Sequence, residues 1–134
     1  MNREAPLNIL LVDDDEFARN LSGRAFEALG QNVFEYSNPQ DGIKAVEQDP
    51  KLHRLILSDF NMPVMNGFAM IQKIQEIREK ERVALPMAYF IYTGNVRDLP
   101  LETKLCEAGI IVKAKPIRLP TFQEIVRFTR ELIS

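Results

Sequence analysis

The stretch Leu55–Gly67, LILSDFNMPVMNG, decides the fold class of this chain. Its first four residues predict a short strand that is buried on both faces. Asp59 ends this run, and a loop that contains asparagine, proline and glycine follows it. From Phe68 to Ile77 apolar residues recur every three or four positions, which predicts a long helix with one inward-facing stripe. A buried strand, a polar loop and an amphipathic helix in succession are typical of an α/β protein.

Four further strand candidates surround this unit, and helix candidates alternate with them. The other strands are predicted at Ile9–Val12, Gln31–Tyr36, Met87–Tyr92 and Ile110–Val112. The other helices are predicted at Glu16–Leu29, Pro39–Gln48 (with Asn38 as its N-cap), about Pro100–Ala108, and Thr121–Leu132. Alternation at this spacing predicts a parallel sheet with helices on both faces, joined by right-handed crossovers. We therefore expect a flavodoxin-like (βα)5 three-layer sandwich whose five strands lie in the order 2-1-3-4-5.

Length, composition and charge narrow the class of protein. The chain has 134 residues, of which 46% are hydrophobic and 27% charged, and its formal net charge is −2. These values predict one globular domain over residues 1–134, with a core at about 8–132. The charge gives no electrostatic footprint for nucleic acid or an acidic membrane surface, and no apolar run approaches the length of a membrane span. We expect a cytoplasmic monomer or weak homodimer, either free-standing or part of a longer chain.

Polar residues follow four of the five predicted strands, the first, third, fourth and fifth. In that order they are Asp13–Asp15, Asp59, Thr93 and Lys115. Because parallel sheets bind ligands beyond the carboxyl ends of their strands, we expect these side chains to converge. Carboxylates about 5 Å apart repel by roughly 3 kcal/mol per pair, and a cation bound by oxygen ligands, Mg²⁺ or Mn²⁺, would relieve that repulsion. A cation beside a carboxylate, a hydroxyl and an amine suits the transfer of a phosphoryl group to an aspartate.

Four motifs in this order resemble the receiver domain of two-component response regulators. They are Leu11–Asp14, Asp59–Gly67 with the pattern D-x-x-M-P-x-M-x-G, Thr93-Gly94 and Lys115-Pro116. The resemblance extends from about Asn8 to Leu132. It implies a signalling switch that is not an enzyme beyond its own phosphotransfer and autodephosphorylation. The implied phosphodonor is a histidine kinase or a histidine phosphotransfer protein.

The resemblance also implies a role for each matching residue. Asp59 would become a 4-aspartylphosphate, Thr93 would be the switch hydroxyl, and Lys115 would form a salt bridge with the phosphoryl group and precede a cis peptide bond. A bound Mg²⁺ would be held by Asp13 and Asp14, directly or through water, by Asp59, and by the backbone carbonyl of Asn61. No further cofactor is implied. A downstream protein would contact the fourth helix, the fifth strand and the fifth helix.

Several features depart from the family pattern, among them Asn66, which stands where aspartate is frequent before the motif's final glycine. Val112 stands three residues before Lys115, where the family commonly has an aromatic residue that rotates inward on activation. The segment Gly109–Lys115 is one residue shorter than usual. Gly94 replaces the more usual alanine after the threonine and would loosen that loop. We therefore expect complete phosphorylation chemistry joined to an unusual relay.

Two other functions remain open from the sequence. Asp13 and Asp15 have the two-residue spacing of aspartate-nucleophile phosphatases of the haloacid dehalogenase class, although the chain lacks room for a cap domain. A degenerate receiver that only binds proteins is the other alternative.

Several residues have plain structural interpretations. Asp15 is expected to be the N-cap of the first helix, His53 a surface residue and Cys106 a buried small side chain. Tyr92 is expected in the core or at its rim, on the same face of its strand as Phe90.

Overall fold

The computed structural model of the protein describes residues 5–100 and 102–134. Its parallel strands are β1 (Asn8–Val12), β2 (Asn32–Tyr36), β3 (Leu55–Asp59), β4 (Ala88–Thr93) and β5 (Ile110–Ala114). Its helices are α1 (Glu16–Ala28), α2 (Pro39–Gln48), α3 (Gly67–Lys80), α4 (Glu102–Glu107) and α5 (Leu119–Ile133). The strands lie in the order β2-β1-β3-β4-β5, so the predicted flavodoxin-like topology is confirmed.

The sheet forms the middle of three layers, and each of its faces has its own hydrophobic core. Successive residues of a strand point to opposite faces, and β1 follows this rule. Leu10 and Val12 belong to the core cluster that contains residues of α2, α3 and α4. Ile9 and Leu11 belong to the cluster that contains residues of α1 and α5. Because β1 and β3 are buried on both faces, their carboxyl ends are held firmly in place.

Polar side chains fix the first turns of α1, α2 and α3. Asp15 accepts hydrogen bonds from two backbone N–H groups at the start of α1, which confirms its predicted N-cap role. Asn38 caps α2 in the same way, as predicted, and Asn66 caps α3. Each cap satisfies backbone donors that have no partner inside the helix. The caps of α1 and α3 also set where the loops after β1 and β3 turn away from the sheet.

The face of α1 that is buried differs from the face on which the apolar spacing places the large apolar residues. Phe17 is 77% exposed and Leu21 is 56% exposed, whereas Ser22, Gly23 and Phe26 are buried. A Cβ atom at Gly23 would lie 2.5 Å from a carboxylate oxygen of Glu35 on β2, the end of an exposed and flexible side chain. The buried side of α1 thus includes two small residues, and two large apolar side chains lie at the surface.

Two residues lie in environments opposite to those expected. His53 is buried, 3% exposed, and its ring packs edge-on against Phe34 with the centroids 5.2 Å apart. Cys106 is exposed. Over its described residues, Glu102–Glu107, α4 buries one side chain, that of Leu105, so the neighbouring Cys106 is left at the surface.

The segment between β4 and β5 is less regular than predicted. A 3-10 turn at Val96–Asp98 precedes α4. The fourth helix is predicted from about Pro100, but residue 101 lies outside the described residues, and the helix is described from Glu102. Over the described parts of the chain, no helix has the length and apolar character that crossing a membrane requires.

Candidate phosphorylation and metal site

The predicted site residues meet at the carboxyl edge of the sheet. Asp13 directly follows β1, Asp59 is the last residue of β3, Thr93 is the last of β4, and Lys115 directly follows β5. The chain adds β2 on one side of β1 and β3, β4 and β5 on the other, so the direction of winding reverses between β1 and β3. Doubly wound sheets bind ligands in the crevice beyond the carboxyl ends of the strands at such a reversal. The predicted convergence of these four strand ends is thus a consequence of the strand order.

Three carboxylates form a compact acidic cluster at this edge. Asp13, Asp14 and Asp59 each offer one oxygen atom, and these atoms all lie within 4.8 Å of one another. Asp13 is fully buried and Asp59 nearly so, whereas Asp14 is exposed. Burial raises the pKa of Asp59; the hydrogen bond and charge of Lys115 oppose this shift, and the charges of Asp13 and Asp14 reinforce it.

The chemistry of this donor set fits a hard divalent cation. All the side-chain donors are carboxylate oxygens, the ligand type that Mg²⁺ and Mn²⁺ prefer. Asp13 and Asp59 are buried, and the charges of Asp13 and Asp14 add to the burial that raises the pKa of Asp59. A cation would balance the negative charge of these side chains.

Lys115 supplies the positive charge of the site. Its Nζ atom lies 3.1 Å from Oδ1 of Asp59, and the Lys115 side chain remains 29% exposed. The backbone N–H of Lys115 donates to the carbonyl of Thr93, at 2.8 Å, which ties the end of β5 to that of β4. The peptide bond between Lys115 and Pro116 is cis, as predicted.

Thr93 is buried beside this ion pair, and the next loop engages its hydroxyl. The Oγ1 atom accepts a hydrogen bond from the backbone N–H of Asn95 at 3.2 Å and donates to the Asn95 carbonyl at 3.3 Å. Both are local hydrogen bonds between a side chain and the backbone two residues on, a kind that competes with other pairings of the same groups. The hydroxyl is therefore in place to exchange its loop partner for another acceptor.

The loop after β3 is held tightly against the site. A Cβ atom at Gly67 would lie 2.3 Å from the backbone oxygen of Asp59, so this position requires glycine. Within the loop, Asn61 donates from its side-chain amide to Asp98 at 3.3 Å. Val64 has a φ of 75°, a left-handed conformation that is unfavourable for a β-branched residue. The metal-ligand role of the Asn61 carbonyl stays a prediction.

Tyr92 is a site residue that the sequence reasoning assigned only to the core or its rim. It does lie in the core cluster with Phe90, as predicted. Its hydroxyl, however, donates a hydrogen bond to Oδ2 of Asp13, and Nζ of Lys115 lies 4.7 Å from the centre of its ring. Burial, and then the hydrogen bond to Asp13, raise the pKa of Tyr92, so the phenol stays protonated as a donor.

Two signals in the sequence point to Tyr92. The first is that it immediately precedes Thr93, and the second is that it lies at the end of the predicted fourth strand; the register that places it opposite Asp59 is visible only in the structure. Arg19 of α1 was also overlooked; its guanidinium donates to the backbone carbonyl of Asp13 at 2.8 Å. No motif marks Arg19, because its partner is a backbone atom.

Comparisons of the sequence with known proteins agree with this geometry. A family model described as the response regulator receiver domain matches residues 9–121. A probable chemotaxis protein CheY from Rhizobium etli is 33% identical over 115 residues, which cover 84% of each chain. The autoinducer 1 sensor kinase/phosphatase LuxN from Vibrio harveyi is 28% identical over 126 residues, 94% of this chain. This chain spans only 14% of the length of LuxN.

Comparisons with solved structures show the same fold. A response regulator receiver domain protein from Clostridium thermocellum superposes with a TM-score of 0.80 at 20% identity, covering 93% of this chain and 94% of that one. The receiver domain of Ssk1, solved together with the histidine phosphotransfer protein Ypd1 from Saccharomyces cerevisiae, is among the similar structures. That match has a TM-score of 0.80 at 16% identity and covers 99% of this chain and 95% of the other.

Proposed function

This chain belongs to the response regulator receiver domain family, and from that premise we propose that Asp59 is the residue that accepts a phosphoryl group. Receiver domains of two-component systems are phosphoacceptor switches and in general are not enzymes. The single observation that supports the assignment is the contact between Asp59 and Lys115, at 3.1 Å, within a cluster of three carboxylates. A nucleophile, a cationic partner and a candidate cation site are thus present together at the carboxyl edge of the sheet.

The proposed transfer takes place between a phosphohistidine and the Asp59 carboxylate. An oxygen of Asp59 attacks phosphorus, a P–O bond forms, the P–N bond to the donor imidazole breaks, and its electron pair leaves with the imidazole. Lys115 holds Asp59 in place and then neutralises charge on the phosphoryl oxygens. Mg²⁺, when bound by Asp13, Asp14, Asp59 and the carbonyl of Asn61, supplies further charge stabilisation.

Thr93 is the proposed sensor of the modification. Its hydroxyl is bound to the backbone of Asn95 in this structure and can turn to a phosphoryl oxygen instead. Such an exchange would pull the loop after β4 towards Asp59. A shift from mostly inactive to mostly active protein requires about 5 kcal/mol of preference for the active state. Contacts of both Thr93 and Lys115 with the new phosphoryl group would contribute to it.

The proposed phosphodonor partner is a histidine kinase or a histidine phosphotransfer protein. Its phosphohistidine must come within bonding distance of Asp59, so the partner must also cover the surface next to the site. Phe17, Leu21 and Ile117 line a groove that reaches Lys115, and the first two are exposed apolar side chains. An apolar partner surface would bury them, and few charged groups would have to be desolvated.

The output surface remains the one expected from the sequence: α4, β5 and α5. Val112 is partly buried against the core cluster under α4 and has no polar group with which to report a rotation. We propose that the hydrogen bond from Lys115 to the Thr93 carbonyl relays the change into β5. Cytoplasmic location, the extent of a single domain over 1–134, and a monomeric or weakly dimeric state stay predictions.

The phosphatase alternative requires Asp15 as a second acid beside Asp13, and the structure gives Asp15 another role. Asp15 accepts two hydrogen bonds from backbone N–H groups in the first turn of α1, and its side chain is exposed there. Asp15 is therefore occupied as a cap and lies outside the acidic cluster.

Phosphorylation can be tested with acetyl phosphate and Mg²⁺ on the intact protein. We expect mass spectrometry to show one added phosphoryl group on the wild type and none on Asp59→Asn. Asp15→Asn is the matched control, because it also replaces a carboxylate by an amide but retains the capping oxygen, and it should label normally. If Asp59→Asn still labels, or if Asp13 supports sustained turnover of a phosphomonoester without Asp59, the proposal is wrong.

A further inference from the structure

Tyr92 contacts both halves of the site at once. Its side chain is buried, its backbone carbonyl accepts a hydrogen bond from the N–H of Phe60, and its register in the sheet is opposite Asp59. From this fixed base the hydroxyl reaches the carboxylate of Asp13, and the ring lies beside the ammonium of Lys115. The first contact is with a member of the acidic cluster, and the second is with the lysine that pairs with Asp59.

The hydroxyl fixes the orientation of Asp13. The Oδ1 atom of Asp13 accepts the backbone N–H of Asp15 at 2.9 Å, and Oδ2 accepts the hydroxyl of Tyr92. With one donor on each oxygen, the plane of this fully buried carboxylate cannot rotate freely. Groups that hydrogen-bond a metal ligand from outside fix its direction, and their loss commonly weakens metal affinity 10- to 100-fold.

The ring restricts the position of Lys115. The ammonium lies between Oδ1 of Asp59, at 3.1 Å, and the ring of Tyr92, whose centre is 4.7 Å away. An ammonium within about 6 Å of an aromatic face is attracted to it. A lysine side chain otherwise has many rotamers, so two simultaneous partners keep it at the carboxylate.

We propose that Tyr92 is a positioning residue that holds Asp13 for the cation through its hydroxyl and Lys115 for the phosphoryl group through its ring. The inference rests on the proposed function of Asp59. It assigns separate roles to two parts of one side chain, and conservative substitutions can therefore separate them.

The hydroxyl is tested by Tyr92→Phe, which retains the ring. We expect titration calorimetry to show Mg²⁺ binding about tenfold weaker than in the wild type. The Mg²⁺ concentration that gives half-maximal labelling by acetyl phosphate should rise by the same factor. The labelling rate at saturating Mg²⁺ should stay unchanged, because Lys115 keeps its aromatic neighbour.

The ring is tested by Tyr92→Leu at saturating Mg²⁺. Removal of the aromatic face should slow labelling about fivefold relative to Tyr92→Phe, a change within the range of a cation–π contact. If Tyr92→Leu prevents folding, Tyr92→Met takes its place, because it also removes the aromatic face but keeps a flexible apolar side chain that can fill the space.

Tyr89→Phe is the matched control. Tyr89 lies on the same strand but points to the other face, where its hydroxyl accepts a hydrogen bond from Arg78 at 3.2 Å. It should leave Mg²⁺ affinity unchanged. An unaltered affinity in Tyr92→Phe, or an equal loss in both variants, overturns the inference while the labelling of Asp59 remains intact. A wild type that binds no Mg²⁺ instead overturns the proposed cation site itself.

Discussion

The imidazole of His53 shows how a single buried polar residue makes the stability of the fold depend on pH. It lies against the ring of Phe34, and its Nε2 atom has no hydrogen-bond partner among the described residues. Burial lowers the pKa of His53 from its ordinary value of 6.5, and the charge of Asp49 opposes this shift only in part. A protonated imidazole therefore fits the folded state worse than the unfolded state.

The sign of the resulting pH dependence follows from proton linkage. With its folded pKa below 6.5, His53 binds more protons in the unfolded chain as the pH falls through 6.5, so the folded state loses stability there. We expect urea unfolding of the wild type to show a free energy of unfolding that falls between pH 7.5 and 5.5. His53→Leu should flatten this slope, and the chain has no other histidine to restore it. An equal slope in both proteins would contradict the assignment.

Sequence reasoning succeeded for residues whose positions follow from strand ends and failed for residues whose environment depends on packing. Asp59 and Lys115 were predictable because parallel strands end at one edge of the sheet, whatever the details of the core. His53 precedes a strand by only two residues, and no local pattern says whether the chain there faces water or Phe34. The hydroxyl of Tyr92 was missed for a related reason, because its partner Asp13 is 79 residues away in the chain.

At the scale of elements, the position of a helix was more predictable than its orientation. The spacing of apolar residues and the cap at Asp15 located α1 to within one residue. The same spacing did not show which side faces the sheet, because Ser22, Gly23 and Phe26 are buried whereas Phe17 lies outside. The topology itself was predictable, since alternation of strands and helices leaves few arrangements.

Two glycines at the ends of loops beside the site should respond in opposite ways to the same substitution. At Gly67 a Cβ atom would lie 2.3 Å from the Asp59 carbonyl, whereas at Gly94 it would meet nothing within 4 Å. Gly67→Ala should therefore lower the free energy of unfolding by about 3 kcal/mol, through forced movement of the loop after β3. Gly94→Ala should raise it by about 0.5 kcal/mol, because the unfolded chain loses conformational freedom.

Chemical denaturation of both variants checks this pair, and each serves as the control for the other. A loss of stability in Gly94→Ala comparable to that of Gly67→Ala would show that the loop after β4 is packed as tightly as the loop after β3.

At the scale of the whole molecule, the acidic cluster couples folding to cation binding. A ligand that binds only the folded state stabilises it by about 2.7 kcal/mol at a concentration of 100 times its dissociation constant. Saturating Mg²⁺ should therefore raise the unfolding temperature by several degrees, and removal of Mg²⁺ with EDTA should reverse the change. The carboxylates of Asp13, Asp14 and Asp59 lie on strand ends and loops from two different parts of the chain, so the effect should act on global unfolding.

Asp13→Asn is the control for this linkage. It removes one carboxylate from the cluster and should abolish most of the Mg²⁺-dependent shift, as followed by circular dichroism during heating. An equal shift in both proteins would mean that Mg²⁺ stabilises the fold from another place.

The contact between Tyr92 and Asp13 also gives the protein an optical property. The chain has no tryptophan and three tyrosines, so its ultraviolet emission comes from phenol rings alone. We expect weak emission from Tyr92 while its hydroxyl donates to Asp13, because an excited phenol passes its proton readily to a bound carboxylate. Any event that draws Asp13 away from the hydroxyl should brighten the protein, and subtracting the spectrum of Tyr92→Phe isolates that signal without a dye.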